Sequence, residues 1–222
     1  MSKQTKSIVA LAIFIVVVLI LPGLAKAGSL EPSAPPGATM HTLEDIYNKI
    51  DSISTLYKAL VEKTGQTTSY ATGDDGDLEK GVAWPNPRFT DNGNGTVTDN
   101  LTDLIWLKNA NPCGPMNWYD AIAYCNSLAS GTAGLTDGSV AGDWRLPNIK
   151  ELQSLIDFGR YNPALPAGHP FTGVQSTGFY WSGTSSYDSV YAWRVAMYSG
   201  YVDNGLNKSS ISHSVWPVRG GN

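Results

Sequence analysis

The sequence predicts an α+β domain over residues 81–222: a β-hairpin, two helices, then a strand-rich end with long loops. Three observations carry this. Residues 89–98, FTDNGNGTVT, read as a strand, a tight Asn-Gly turn and a returning strand. Two later stretches, 117–130 and 149–158, carry apolar residues at helical spacing. After Phe158 that period disappears, and short apolar runs alternate with Ser, Asp, Asn and Gly. Strands and helices grouped in separate runs are the signature of α+β rather than of repeating βαβ units. About 140 residues is the usual size of one domain and suffices to bury roughly two-thirds of its unfolded surface.

Each element has a local cause. In the hairpin, Asn and Gly supply the positive φ angles of the turn. The same oxygen-rich residues, Asp91, Asn92, Asn94 and Asp99, leave calcium as an alternative reading, because that ion takes six to eight oxygens. The run from Leu101 to Leu107 continues into a strand carrying Trp106. Asn117 can cap the first helix, whose apolar face is Ala121, Ile122, Cys125 and Leu128. The turn Arg145-Leu146-Pro147-Asn148 leads into the second helix, with Leu152, Leu155 and Ile156 facing the core.

Upstream of the domain the chain divides into four segments. Residues 1–27 hold Lys3 and Lys6, an apolar run from Ile8 to Leu21 and Ala25-Lys26-Ala27, which reads as a secretory signal peptide cut after Ala27. The alternative is an uncleaved anchor, although the run is short of the roughly 20 residues a span needs. Residues 28–41 form a Pro- and Gly-rich tether. Residues 42–64 place Leu43, Ile46, Ile50, Ile53, Tyr57 and Leu60 at alternating spacings of three and four, the a/d pattern of a coiled coil. That stripe predicts an oligomerisation stalk, with a homotrimer as the expected state. The alternative is a helix lying on the chain's own domain. Residues 65–80 read as an acidic linker.

Charge and cysteines narrow the function. The full chain carries 15 basic and 19 acidic residues. Cleavage removes three lysines and no acids, so the net charge moves from −4 to −7. An acidic chain lacks the basic field that nucleic acid requires. After cleavage no membrane span is expected. Export permits a disulfide between Cys113 and Cys125, which would close a loop of about a dozen residues and contribute about 3 kcal/mol. Two free thiols are the alternative.

No catalytic constellation emerges. The sequence has no HExxH, no CxxC and no G-x-S-x-G motif, and His41, His169 and His213 are isolated from one another. Asp143 and Glu151 do not stand out from ordinary helix-end acids. The expectation is a protein that is not an enzyme and needs no cofactor.

Residues 180–205, YWSGTSSYDSVYAWRVAMYSGYVDNG, hold five tyrosines and two tryptophans among small polar residues. Strand alternation places Trp193, Val195 and Met197 on a core face, and Arg194, Ala196 and Tyr198 toward solvent. The predicted ligand-binding set is Tyr187, Tyr191, Arg194, Tyr198, Tyr201, Asn204, Asn207, Lys208 and His213. Rigid amphipathic rings with Ser, Gly, Asn and Asp neighbours are the chemistry of adaptable recognition surfaces. The alternative is that these rings cover loop edges and the core.

The blocks GVAWPNPRFTDNGNGTVTDNLTDLIWLKNA, AGDWRLPNIKELQSLIDFGRYNPALP, FYWSGT, AWRV and SVWPVRGG occur in order across nearly all of residues 81–222. They resemble the Legionella collagen-like protein C-terminal domain family. The resemblance implies a C-type-lectin-like fold, related to that of sulfatase-modifying factors, on exported bacterial proteins. It also implies trimers, and an adhesin that binds sulfated glycosaminoglycans. This chain departs from that last property: its basic residues are scattered, and only Arg194 and Lys208 lie in the variable-looking C-terminal segment. The cysteine pair that formylglycine-generating relatives use near the C-terminal end is also missing, since both cysteines lie in the first third of the domain. The expected function is an exported, non-catalytic recognition or adhesion module for a glycan or surface protein, displayed extracellularly or at the cell surface, with the periplasm as an alternative. The competing expectation is a structural subunit of a cell-surface assembly or filament.

Overall fold

The computed structural model describes residues 61–220 together with Asp45, which is helical. The signal segment, the tether and the whole a/d stripe from Leu43 to Leu60 lie outside the described residues. Among the described residues no helix is long and apolar enough to cross a membrane.

Two antiparallel sheets and short helices make up the α+β architecture. Strands β1 (Phe89–Asp91), β2 (Thr96–Asp99), β3 (Ile105–Leu107) and β7 (Val218–Arg219) form the first sheet in that spatial order. Strands β4 (Tyr180–Ser185), β5 (Tyr191–Ala196) and β6 (Tyr201–Asn207) form the second as a meander. The expected hairpin is β1–β2, with Asp91 opposite Val97 and the turn glycines Gly93 and Gly95 at φ +71° and +86°. A side chain at Gly95 would also strike the backbone of Gly134, so glycine is needed there twice over.

The residues proposed for calcium are engaged otherwise. Asp91 accepts from Lys108 Nζ at 2.7 Å. Asn92 and Asn94 bond the threonines of β2. Asp99 is paired with Arg88. Turn and pairing chemistry accounts for these oxygens.

Helix α2 (Trp118–Ser127) begins where Asn117 Oδ1 accepts from the Asp120 amide. Helix α3 (Ile149–Ser154) begins with a capping box: Asn148 Oδ1 accepts from the amides of Lys150 and Glu151, and Glu151 accepts from the Asn148 amide. This helix is shorter than the sequence suggests. The Asp157 amide bonds Ala164 O instead of continuing the helix, and the chain turns away.

Residues 65–80 differ from a plain linker. Asp74 caps a one-turn helix, α1 (Asp75–Leu78), and Thr64 Oγ1 bonds Asp75. Nearby backbone bonds join the segment to the domain: Lys63 N to Val82 O, Val82 N to Val61 O, and Phe158 N to Thr64 O. Residues 61–64 are extended, so the helical period predicted through residue 64 does not reach them. Acidic composition does not prevent order when backbone pairing and caps satisfy the polar groups.

The main core lies where both sheets and α3 meet. Phe89, Val97 and Trp106 come from the first sheet, Leu152 from α3, Tyr180 and Val195 from the second, with Phe171, Met197 and Trp216 between them. A second cluster joins Ala121 and Cys125 of α2 to Leu146, Trp181, Ala192 and Val215. A third contains Leu107, Leu128, Leu135 and Trp144. Three of the buried indoles donate to a defined acceptor: Trp144 to Ser139 Oγ, Trp181 to Met116 O and Trp216 to Leu107 O. Burial of a large ring is then gained without an orphaned N–H.

Both cysteines are free thiols, which corrects the expected bridge. They contribute to the second cluster as small apolar side chains. Burial pushes the Cys113 thiol up to about 11 and the Cys125 thiol higher still, so both are protonated near neutral pH.

Candidate functional site

The second sheet carries the Tyr-rich segment, and its packing divides the predicted site residues into two classes. Val195 and Met197 enter the main core as expected, while Trp193 is half-buried. Their neighbours on β5 do not face solvent. Ala192 and Ala196 are fully buried, with Ala192 in the second cluster. Arg194 is largely enclosed by Phe179, Asp203 and His213. The pairing register shifts between Ala192 and Arg194, and the chain around His213 and Val215 covers this side of the strand.

Three predicted ligand residues are therefore internal. The Arg194 guanidinium lies 4.1 Å over the Phe179 ring, bonds Asp203, and donates from Nη1 to His213 Nε2 at 2.7 Å. The Asp203 carboxyl is held below its ordinary range by the hydrogen bond from Arg194. His213 packs 4.4 Å from Trp181, and burial pushes its imidazole down to about 4. A neutral ring accepting at Nε2 carries its proton on Nδ1. Lys208 Nζ donates to Ser185 Oγ at 2.8 Å and Ser189 O at 3.0 Å, and sits 4.3 Å from the centre of the Trp118 ring. Its side chain ties the β4–β5 loop to the start of α2. Both cations are thus engaged with partners inside the domain.

His213 also confers a pH dependence. An imidazole at about 4 in the fold and near 6.5 unfolded favours folding fully above pH 6.5, and that contribution is lost as pH falls from 6.5 toward 4. Burial raises Glu62 and Asp157, and these carboxyls act in the opposite sense. The His213→Gln variant should therefore show a smaller loss of stability between pH 6.5 and pH 4 than the parent, read from denaturation midpoints at each pH.

The remaining predicted residues reach the surface at two ends of the sheet. Tyr187 is 100% exposed in the β4–β5 loop. Tyr191 pairs with Asn207 across β5 and β6 beside that loop, and Asn204 donates to Ser186 Oγ at 3.1 Å. At the opposite end Tyr201 is 57% exposed, near Phe179, and Tyr198 packs edge-on against Tyr161. Tyr191 and Ala196 mark the two ends of β5, about 17 Å apart at strand rise. The structure brings Tyr187, Tyr191 and Asn207 together, and sets Tyr198 and Tyr201 apart from them.

The residues considered for catalysis have structural partners. Glu151 forms a two-point pair with Arg145 at 2.7 Å on each arm, and Arg145 also reaches Gly220 O. Asp143 caps the Val140 amide. Arg219 pairs with Asp137 and lies over Trp144.

A family model described as the Lcl C-terminal domain matches residues 95–219, from the hairpin through β7. The chain belongs to the Lcl C-terminal domain family. No curated protein matches the chain. Within this Lcl domain the matched span contains α2, α3 and the whole Tyr-rich sheet, while residues 61–82 pack on from outside it. Sequence reasoning missed one cavity of about 710 Å³, formed where those N-terminal residues meet residues 157–167. Its aromatic members, Trp84 and Tyr161, are distant in the chain, so no local pattern joins them.

Proposed function

We propose that this Lcl domain is an exported, non-catalytic recognition module that binds a glycan or a surface protein through the tyrosines of its second sheet. The observation that carries the reading is the sorting of side chains there. Tyr187, Tyr191 and Tyr201 are exposed, whereas Arg194, Lys208 and His213 are enclosed. A surface of rings, amides and hydroxyls without free cations suits a neutral polar partner better than a sulfated chain. Membership of a bacterial surface-type family supports export to the cell surface or beyond. Two antiparallel sheets with short helices and long loops are consistent with a C-type-lectin-like fold. The a/d stripe of residues 43–60 would gather copies into a trimer, so that weak sites gain avidity.

The test is capture by the mature chain on a glycan array and on intact cells, beside Tyr187→Ala/Tyr201→Ala. Both rings are exposed, so the variant should keep its stability within about 0.5 kcal/mol. Capture should fall at least about tenfold with chromatographic size unchanged. A change in size with these substitutions would support the structural-subunit reading instead. That second reading has one observation behind it: β6 is an edge strand of seven residues, able to pair with another chain.

A further inference from the structure

The 710 Å³ cavity has the size of a small-molecule site, and it is separate from the Tyr187 end of the sheet. One wall is the 63–67 segment with Glu79 and Trp84, and the other is the 157–167 loop. Backbone bonds fix both. Lys63 N and Val82 N pair the first wall to itself, and Phe158 N bonds Thr64 O between the walls. The Asp157 amide bonds Ala164 O within the second. At their junction Gly65, with φ +85°, lies so close to Trp84 and Asp157 that any side chain there would overlap both. The cavity is preformed, and no hinge is needed to make it.

Its lining has a particular chemistry. Two cations and two carboxylates are present, and they are matched: Lys63 to Glu79 at 3.1 Å and Arg160 to Asp157 at 3.4 Å. Among the described lining residues the charges cancel and each cation is paired, which disfavours an anionic ligand. Among the described lining residues Pro166 and Ala167 are the only aliphatic contributions, too little apolar surface to hold a large apolar peptide side chain. Trp84 and Tyr161 supply aromatic surface. Arg88 lies 4.9 Å from the Trp84 ring centre, and the buried Trp84 Nε1 has no hydrogen-bond partner among the described residues. Tyr161, 72% exposed at the rim, is steadied edge-on by Tyr198.

The geometry points to a binding site for a short neutral oligosaccharide in this cavity. Sugar C–H faces pack on flat rings. Vicinal hydroxyls are matched by neighbouring donors and acceptors, which the Arg160–Asp157 and Lys63–Glu79 pairs and the Gln66 amide provide. This inference does not rest on the Tyr187 face being a binding surface.

The full chain is titrated calorimetrically with neutral hexasaccharides of β-glucan, α-glucan, chitin and mannan types, up to about 5 mM, a ceiling that still detects millimolar affinity. A sulfated hexasaccharide and an unrelated hexapeptide are titrated beside them. At least one neutral sugar should saturate, and Tyr161→Ala should weaken it about tenfold or more. Trp84→Phe keeps an aromatic ring and should reduce the ligand-induced change in tryptophan fluorescence. Tyr187→Ala should bind like the parent. No saturation by any neutral sugar overturns the inference. So does preference for the sulfated sugar or the peptide at the Tyr161 site. Binding lost in Tyr187→Ala but kept in Tyr161→Ala also overturns it, while supporting the C-terminal face as the recognition surface.

Discussion

Arg88→Met should lower the free energy of unfolding by about 3–5 kcal/mol, measured from the urea midpoint at neutral pH. Arg88 is 7% exposed, and its partner Asp99 is wholly buried. Two parallel hydrogen bonds join them, Nε to Oδ1 at 2.8 Å and Nη2 to Oδ2 at 3.0 Å, and Nη2 also reaches Ser154 O at the end of α3. Asp99 in turn accepts from the Leu101 amide and the Thr102 hydroxyl, so one carboxylate organises the β2–β3 turn. Methionine fills much of the space but leaves that carboxylate without its cation. The cost is that of an unpaired buried charge, not of the pair's net worth. The double variant Arg88→Met/Asp99→Asn should recover part of the loss, since the charge is gone. A deficit below about 1 kcal/mol in the single variant would mean the pair behaves as an exposed one.

Arg88 also illustrates what the sequence reveals and what it hides. The hairpin, α2 and α3 were legible because their signals are local: Asn-Gly at the turn, Asn117 and Asn148 at the caps, Glu151 three residues on. Arg88 and Asp99 are eleven residues apart with a hairpin between them, and only the β1–β2 register, Phe89 opposite Asp99, brings them together. The enclosure of Arg194, Lys208 and His213 was hidden for a related reason. Alternation assumes one dry and one wet face, but β5 is the middle strand, and the His213 segment, nineteen residues beyond Arg194, closes over it. The buried cations satisfy partners that no periodicity announces. The fully exposed Tyr187 was legible, because a tyrosine in a Ser-Ser-Tyr-Asp-Ser loop has no apolar neighbours to pack on. The cavity was not, because its walls lie about 70 to 100 residues apart in the chain.

Trp216→Ala should cost a further-reaching 3–5 kcal/mol, about the range for removing a large core ring. Trp216 is fully buried and touches rings from both sheets: Trp106 of β3 at 5.7 Å, Tyr180 of β4 at 5.5 Å and Phe171 at 4.8 Å between centroids. Its indole N–H also donates to Leu107 O at 2.9 Å. Truncation thus removes aromatic contacts toward both sheets and leaves a buried carbonyl short of a donor. Trp216→Phe retains most of the ring and should lose only about 1–3 kcal/mol, the cost of that missing hydrogen bond. Hydrogen exchange resolves what the ring does mechanically. If Trp216 couples the sheets, its loss should lower protection in β1–β3 and β4–β6 together. Loss confined to β4–β6 would instead make the Tyr-bearing sheet a separately unfolding unit. The contrast with Tyr201→Ala is the functional point: the same segment of chain holds rings that build the domain and rings that the domain displays, and burial alone separates them.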